Sequence, residues 1–217
     1  MIKIKPFVFN DFAVNSFVIY DEDSKECIIV DPGCIRETEQ KSLTEFIKEN
    51  QLIPTQLVNT HCHVDHVAGN KFVVDTYNIP VYAHEDDNEN LSNTIRAGEL
   101  YGMKIDSPPK VDHYLNSGDT VKLGNSELLV MHLPGHSKGS IGLFAKDEKF
   151  VVVGDVLFNG SVGRTDLNGG SLDELMHSIK EVLFKLDDDV IVYTGHGPET
   201  NIGNEVRSNP FLLDNVM

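Results

Sequence analysis

Tryptophan is missing from these 217 residues, and cysteine is scarce, with three in all. Cys27, Cys34 and Cys62 are odd in number and follow no framework spacing. That argues against a disulfide-stapled scaffold and suits a reducing cytoplasm. No apolar run is long enough to span a membrane. No secretory leader is recognisable either, since Met1-Ile2-Lys3-Ile4-Lys5 begins directly as an alternating strand. Basic residues are few: 18 Lys and Arg stand against 34 Asp and Glu, a formal net charge of −16. Phosphate binding needs a basic face, so a nucleic-acid surface is not expected. The acidic runs Glu85-Asp86-Asp87-Asn88-Glu89 and Asp187-Asp188-Asp189 read as solvated helix surface. The expected setting is cytoplasmic, with neither a nucleic acid nor a membrane as partner.

A chain of this length suffices for one domain, residues 1–217, burying roughly 70–75% of its unfolded surface. Its chemistry concentrates in Thr60-His61-Cys62-His63-Val64-Asp65-His66. Imidazole and carboxylate groups suit zinc and related divalent ions. In an extended segment His61 and His63 share one face, while Asp65 and His66 point elsewhere and suit a second ion better. The tract follows a strand ending at Asn59 and precedes a helical pattern. It therefore sits on a strand-to-helix turn, where open α/β folds place their sites. Cys62 alternates away from the shared face of His61 and His63, which favours a packing role.

A short His-rich tract alone can be a partnerless surface cluster. Three further turns change that balance. His136 lies in Leu133-Pro134-Gly135-His136-Ser137, Asp155 in Val152-Val153-Gly154-Asp155, and His196 in Thr194-Gly195-His196-Gly197-Pro198. Each follows an apolar run and sits in a Gly- or Pro-marked turn. His84, His113, His132 and His177 match no such pattern and are read as structural or solvated.

The HxHxDH tract with separate His, Asp and His residues resembles the metallo-β-lactamase superfamily. Gly154-Asp155-Val156-Leu157-Phe158, Gly163-Arg164-Thr165-Asp166 and Gly195-His196-Gly197-Pro198-Glu199-Thr200 resemble its short glyoxalase II-like hydrolases. The resemblance implies a four-layer αββα sandwich. It implies His61, His63 and His136 around one metal, and Asp65, His66 and His196 around a second. Asp155 would bridge the two and hold a bridging hydroxide, with Asp65 also placed to relay a proton. Two divalent ions are implied, zinc first, with iron or manganese as alternatives. The implied substrate is a small-molecule thioester such as an acyl-glutathione. Arg164 stands where the family has a basic residue near the thiol part of its substrate. Its plain alternative is an ion pair with Asp166. Lys138 replaces a proline common after GH[ST] and reads as a loop-surface lysine.

The rest of the chain fits that architecture. Strands are expected over 2–9, 12–20 and 26–31, with a break near Pro6, then a helix from Glu37 to Asn50. Ser16 and Asp31 recur as Ser140 and Asp155 with the same spacing, and a helix follows each acid. This is a duplicated β-β-α-β unit. The second helix is expected over 172–186, with a Ser171/Glu174 capping box and a core stripe including Leu172, Leu175, Ile179 and Leu183. Longer glyoxalase II enzymes carry an added helical domain that contacts glutathione. Here the chain stops soon after Asn209-Pro210-Phe211, so weak selection among thiols is expected. The rival readings are a mononuclear iron persulfide dioxygenase using His61, His136 and Asp155, a metal-stabilised binding module, and a lactonase, ranked above a β-lactamase.

Overall fold

The computed structural model describes residues 1–213. The first sheet contains β1 (Ile2–Phe9), β2 (Val14–Asp21), β3 (Glu26–Val30), β4 (Ile53–Val58), β5 (Val81–Ala83) and β6 (His113–Tyr114), in that spatial order. Strands β1 to β3 are antiparallel neighbours, whereas β3, β4, β5 and β6 run parallel. Between β3 and β4 lies α1 (Glu37–Glu49). After β4 come α2 (Val64–Val67) and α3 (Asn70–Tyr77), and after β5 come α4 (Asn88–Ser92) and α5 (Thr94–Leu100).

The second sheet contains β7 (Thr120–Leu123), β8 (Ser126–His132), β9 (Ile141–Ala145) and β10 (Phe150–Gly154). A small hairpin, β11 (Leu157–Phe158) and β12 (Ser161–Val162), follows. Next come α6 (Leu172–His177), β13 (Ile191–Thr194), β14 (Thr200–Asn201) and α7 (Ile202–Ser208). The sheet order is β14-β13-β10-β9-β8-β7. The duplication is plain in the pairing. Hairpin β2/β3 leads through α1 to parallel β4, and hairpin β9/β10 leads through α6 to parallel β13.

Alternation along the strands makes the layers. In β2, Phe17 and Ile19 point into the core between the sheets, while Val14 and Val18 point to the helices outside. In β10, Phe150 and Val152 face the first sheet, while Val151 and Val153 face α6 and the turns after it. Period-two side chains buried on both faces require a layer on each side. Leu43, Ile47 and Val73 supply one outer layer, and Leu175, Ile179 and Leu183 supply the other. The result is an αββα sandwich.

Four local expectations are corrected. Pro6 does not break β1; it pairs opposite Phe17, and β1 is an edge strand where a missing N–H is tolerated. The helix at 172–186 is α-helical only to His177, then widens into a π-helical turn over Ser178–Val182 and tightens into a 3₁₀ turn over Leu183–Lys185. Leu172 is exposed, so the core stripe begins at Leu175. Half of the capping box forms: Ser171 Oγ accepts from the Glu174 N–H, but the Ser171 N–H donates to Gly135 O. Burial pushes the thiols of Cys27 and Cys34 up to about 12, so both are neutral at pH 7. No helix of the described residues is long and apolar enough to cross a membrane.

Candidate metal centre

The strand ends from both halves converge on one cluster of imidazoles and carboxylates. Strand β4 delivers His61, His63 caps α2, and Asp65 and His66 lie within that helix. His136 comes from the β8–β9 loop, Asp155 directly follows β10, and His196 follows β13. Asn15 on β2 sews the last loop to the first sheet. Its N–H donates to Gly195 O, and its Nδ2 donates to Thr194 O and Gly197 O. Seven side chains from four separate stretches of the sequence thus share one space.

Their polar atoms form two trios. Ligand atoms of His61, His63 and His136 lie within 4.8 Å of one another, and so do those of Asp65, His66 and His196. His63 Nδ1 is 2.8 Å from His136 Nε2, and His66 Nε2 is 3.4 Å from His196 Nε2. Asp155 stands between the trios. Its Oδ2 is 3.6 Å from His136 Nε2 and 3.4 Å from His196 Nε2, and its Oδ1 is 3.3 Å from His66 Nε2. Asp65 Oδ2 lies 3.3 Å from His196 Nε2.

Outer partners orient the rings. His136 Nδ1 donates to Arg164 O at 2.8 Å, and His196 Nδ1 donates to Phe12 O at 2.9 Å. His66 Nδ1 donates to Asp31 Oδ2 at 3.0 Å. In each ring Nε2 is then left facing the cavity, the arrangement that presents imidazoles to a cation. Among the described residues, two buried side-chain atoms have no hydrogen-bond partner: His61 Nε2 and Asp155 Oδ1. Asp155 Oδ1 lies near His66 Nε2 but not in hydrogen-bonding geometry. Buried polar atoms are rarely left unpaired without a reason. A divalent cation between them satisfies both, so these residues fit a metal.

The electrostatics divide in the same way. Burial foremost, then the neighbouring imidazoles, pushes His61 well below the usual histidine range. Burial, reinforced by His136, takes His63 to about 3. Burial likewise lowers His136, with Asp155 partly offsetting it. This trio is neutral and able to donate lone pairs. Burial also opposes charge on His66 and His196, but Asp65 and Asp155 outweigh it. They carry His66 well above its usual range and His196 to about 9. Asp155 is driven well below the carboxylate range because His66 and His196 overcome its burial. The two carboxylates draw positive charge into this half of the cavity.

Arg164 meets the site through its main-chain O on His136, and its side chain is exposed. Its Nε and Nη2 pair with Asp166 Oδ1 and Oδ2 at 2.7 and 2.8 Å. Lys138 is exposed on its loop. Cys62 is buried, packs with Val67, Ala83 and Leu91, and burial pushes its thiol well above the usual range. His84 and His132 stack at 4.1 Å with an interplanar angle of 6° beside Asp86. Parallel rings aim their in-plane lone pairs side by side rather than at one point. His113 stacks on Tyr82. Sequence reasoning missed Asp31, which accepts from the Thr60 N–H at 2.7 Å, from Thr60 Oγ1 and from His66. Its signal was present: Asp31 is the counterpart of Asp155 in the duplicated unit.

The family model for the metallo-β-lactamase superfamily matches residues 9–196. Hydroxyacylglutathione hydrolase GloC of Haemophilus influenzae is 34% identical over 208 residues, covering 93% of each chain. Among solved structures, BLEG-1 B3 metallo-β-lactamase is similar with a TM-score of 0.88 and 36% identity, covering 97% of this chain and 99% of its own. TTHA1623 in a di-iron-bound form is similar with a TM-score of 0.86 and 34% identity, covering 96% and 100%. With the fold, the clustered histidines and carboxylates and these likenesses in agreement, the chain belongs to the metallo-β-lactamase superfamily, as a member of its metallo-hydrolases.

Proposed function

We propose that the chain, as one domain over 1–217, is a binuclear zinc hydrolase acting on thioesters, in the manner of the glyoxalase II-like enzymes. The observation that carries this reading is Asp155, which approaches His136 of one trio and His66 and His196 of the other. A carboxylate so placed suits a bridge between two cations. His61, His63 and His136 would hold one ion, and Asp65, His66 and His196 the other. The ions supply Lewis acidity and lower the pKa of water toward ~7. The chain supplies the rest. Arg164 O, Asp31 and Phe12 O hold three imidazoles in register. Asp65, beside His196, is placed to relay a proton.

A thioester suits this arrangement because a thiol with a pKa near 8.5 leaves without strong acid assistance, unlike an amine. The 34% identical relative named hydroxyacylglutathione hydrolase supports the same class. The likeness to BLEG-1 B3 metallo-β-lactamase makes amide-ring cleavage the comparison to run beside it.

Phe12 and Phe158 flank His196, Phe12 meets Tyr101 edge-on at 5.4 Å, and Arg164 is exposed. We expect Arg164→Ala to raise KM for glutathione thioesters roughly tenfold while changing kcat less, since a remote carboxylate contact contributes mainly uniform binding. The main-chain O that orients His136 survives the substitution. Steady-state kinetics with a charged and a neutral thioester check this. Equal loss with both would assign the Arg164–Asp166 pair to structure.

The class itself is tested by a kcat/KM panel with one acyl group on several thiols, run beside a lactone, a β-lactam and glutathione persulfide. Thioester hydrolysis with only modest preference for glutathione is expected. A preference beyond roughly a thousandfold, about 4 kcal/mol, would mean a dedicated thiol pocket. Oxygen consumption with the persulfide on one iron, without thioester hydrolysis, would replace the hydrolase reading with the dioxygenase.

A further inference from the structure

Asp87 lies in the acidic run after β5, and its side chain is fully buried. Resting on the reading of His61, His63 and His136 as ligands, we propose that Asp87 is a positioning residue for that first metal. It would lock the two loops that carry these histidines into one binding geometry.

Its oxygens collect donors from both halves of the molecule. Oδ2 accepts from the Cys62 N–H at 2.6 Å and from Ser137 Oγ at 3.0 Å. Oδ1 accepts from the Gly139 N–H at 3.0 Å and from Asn90 Nδ2 at 3.3 Å. Cys62 stands between His61 and His63, and Ser137 follows His136. A single carboxylate therefore ties the α2 entry loop to the β8–β9 loop, one residue away from each of the three imidazoles. Ser137 is fixed further through Ser140 Oγ at 2.8 Å. A Cβ on Gly139 would come within 2.9 Å of Asp87 Cγ, so the second loop closes on the carboxylate only because that residue is glycine. The Asp87 N–H is itself held by His84 O at 3.2 Å.

Each carboxylate oxygen accepts from a main-chain N–H, one from each loop. Asparagine cannot replace this. Whichever way its amide is turned, its NH₂ group faces a backbone N–H, donor against donor. Asp87→Asn changes no volume and removes one tie. In a water-poor setting the orphaned N–H pushes its loop away.

The test isolates each metal. Zinc affinity at the first position is measured by chelator competition in a His196→Ala background, and at the second in a His63→Ala background. Asp87→Asn is added to each, with circular dichroism to confirm folding. The expected result is an affinity loss of about 10–100-fold at the first position and less than about threefold at the second, in line with outer-shell partners elsewhere. Ser137→Ala, which removes only the hydroxyl donor, should give a smaller loss at the same position. It carries the test if Asp87→Asn does not fold. Equal weakening at both positions, or a lowered melting temperature with unchanged affinity, would show Asp87 to be a general fold residue and overturn the proposal. If neither single-site background binds zinc, the ligand reading itself fails.

Discussion

Replacing Asp155 with alanine should lower metal occupancy at both positions and reduce thioester kcat/KM by roughly a thousandfold or more, about 4 kcal/mol of transition-state stabilisation. Asp155 approaches His136 of one trio and His66 and His196 of the other, and it carries negative charge that His66 and His196 hold in place. Alanine leaves His66 fully buried against its neighbours with one fewer counter-charge, and would leave the two proposed cations without a carboxylate between them. Elemental analysis of the purified variant after metal loading checks the occupancy. His196→Ala provides the contrast. Of the candidate ligands, His196 lies against the second trio and Asp155, so its loss should empty the second position and spare the first. An Asp155→Ala protein that keeps two equivalents of metal would remove the bridge from the account.

The second large effect comes from a residue with no functional group. Gly195 precedes His196, and a Cβ there would collide with Asp155 Oδ1 and lie 3.0 Å from His66 Cε1. His66 cannot retreat, being clamped by Asp31, and neither can the Gly195 backbone, whose N–H and O are both bonded, to Gly154 O and from the Asn15 N–H, so the Asp155 carboxylate is what must move. Gly195→Ala should therefore displace the carboxylate, cost about 1–3 kcal/mol of stability and weaken metal binding by roughly 100-fold. Gly197→Ala is the control. Its Cβ meets nothing within 4 Å, but the backbone sits at φ +73°. That variant should lose about 1 kcal/mol through left-handed strain and keep its metal affinity. Chelator competition and thermal melts on both variants separate crowding of the carboxylate from backbone strain.

Much of this arrangement was legible in the chain because its signals are local. Alternation identifies β2, β3 and β10, and the recurrence of Ser16 and Asp31 as Ser140 and Asp155 announces the paired halves. His61, His63, Asp65 and His66 fall within six residues, and the other three candidates sit in marked turns. What stayed hidden depends on tertiary partners. Asp87 stands in Glu85-Asp86-Asp87-Asn88-Glu89, which reads as solvated acidic surface; only the approach of Cys62, Ser137 and Gly139 turns one of these acids inward. The stripe from Leu172 to Leu186 predicts a regular helix. The chain instead widens after His177, keeping Ile179 and Leu183 on the core. Arg164 has a nearby acid two residues on, and in the fold it pairs with Asp166 in two-pronged geometry.

The central claim is that two metal ions act together on a thioester. Its most direct test is a titration of metal-free protein with zinc, following thioester hydrolysis and bound metal in the same samples. The account predicts activity that reaches its plateau only as the second equivalent binds, with a His196→Ala protein stopping at one equivalent and little activity. Full hydrolytic activity at one equivalent, with no further gain at two, would contradict it.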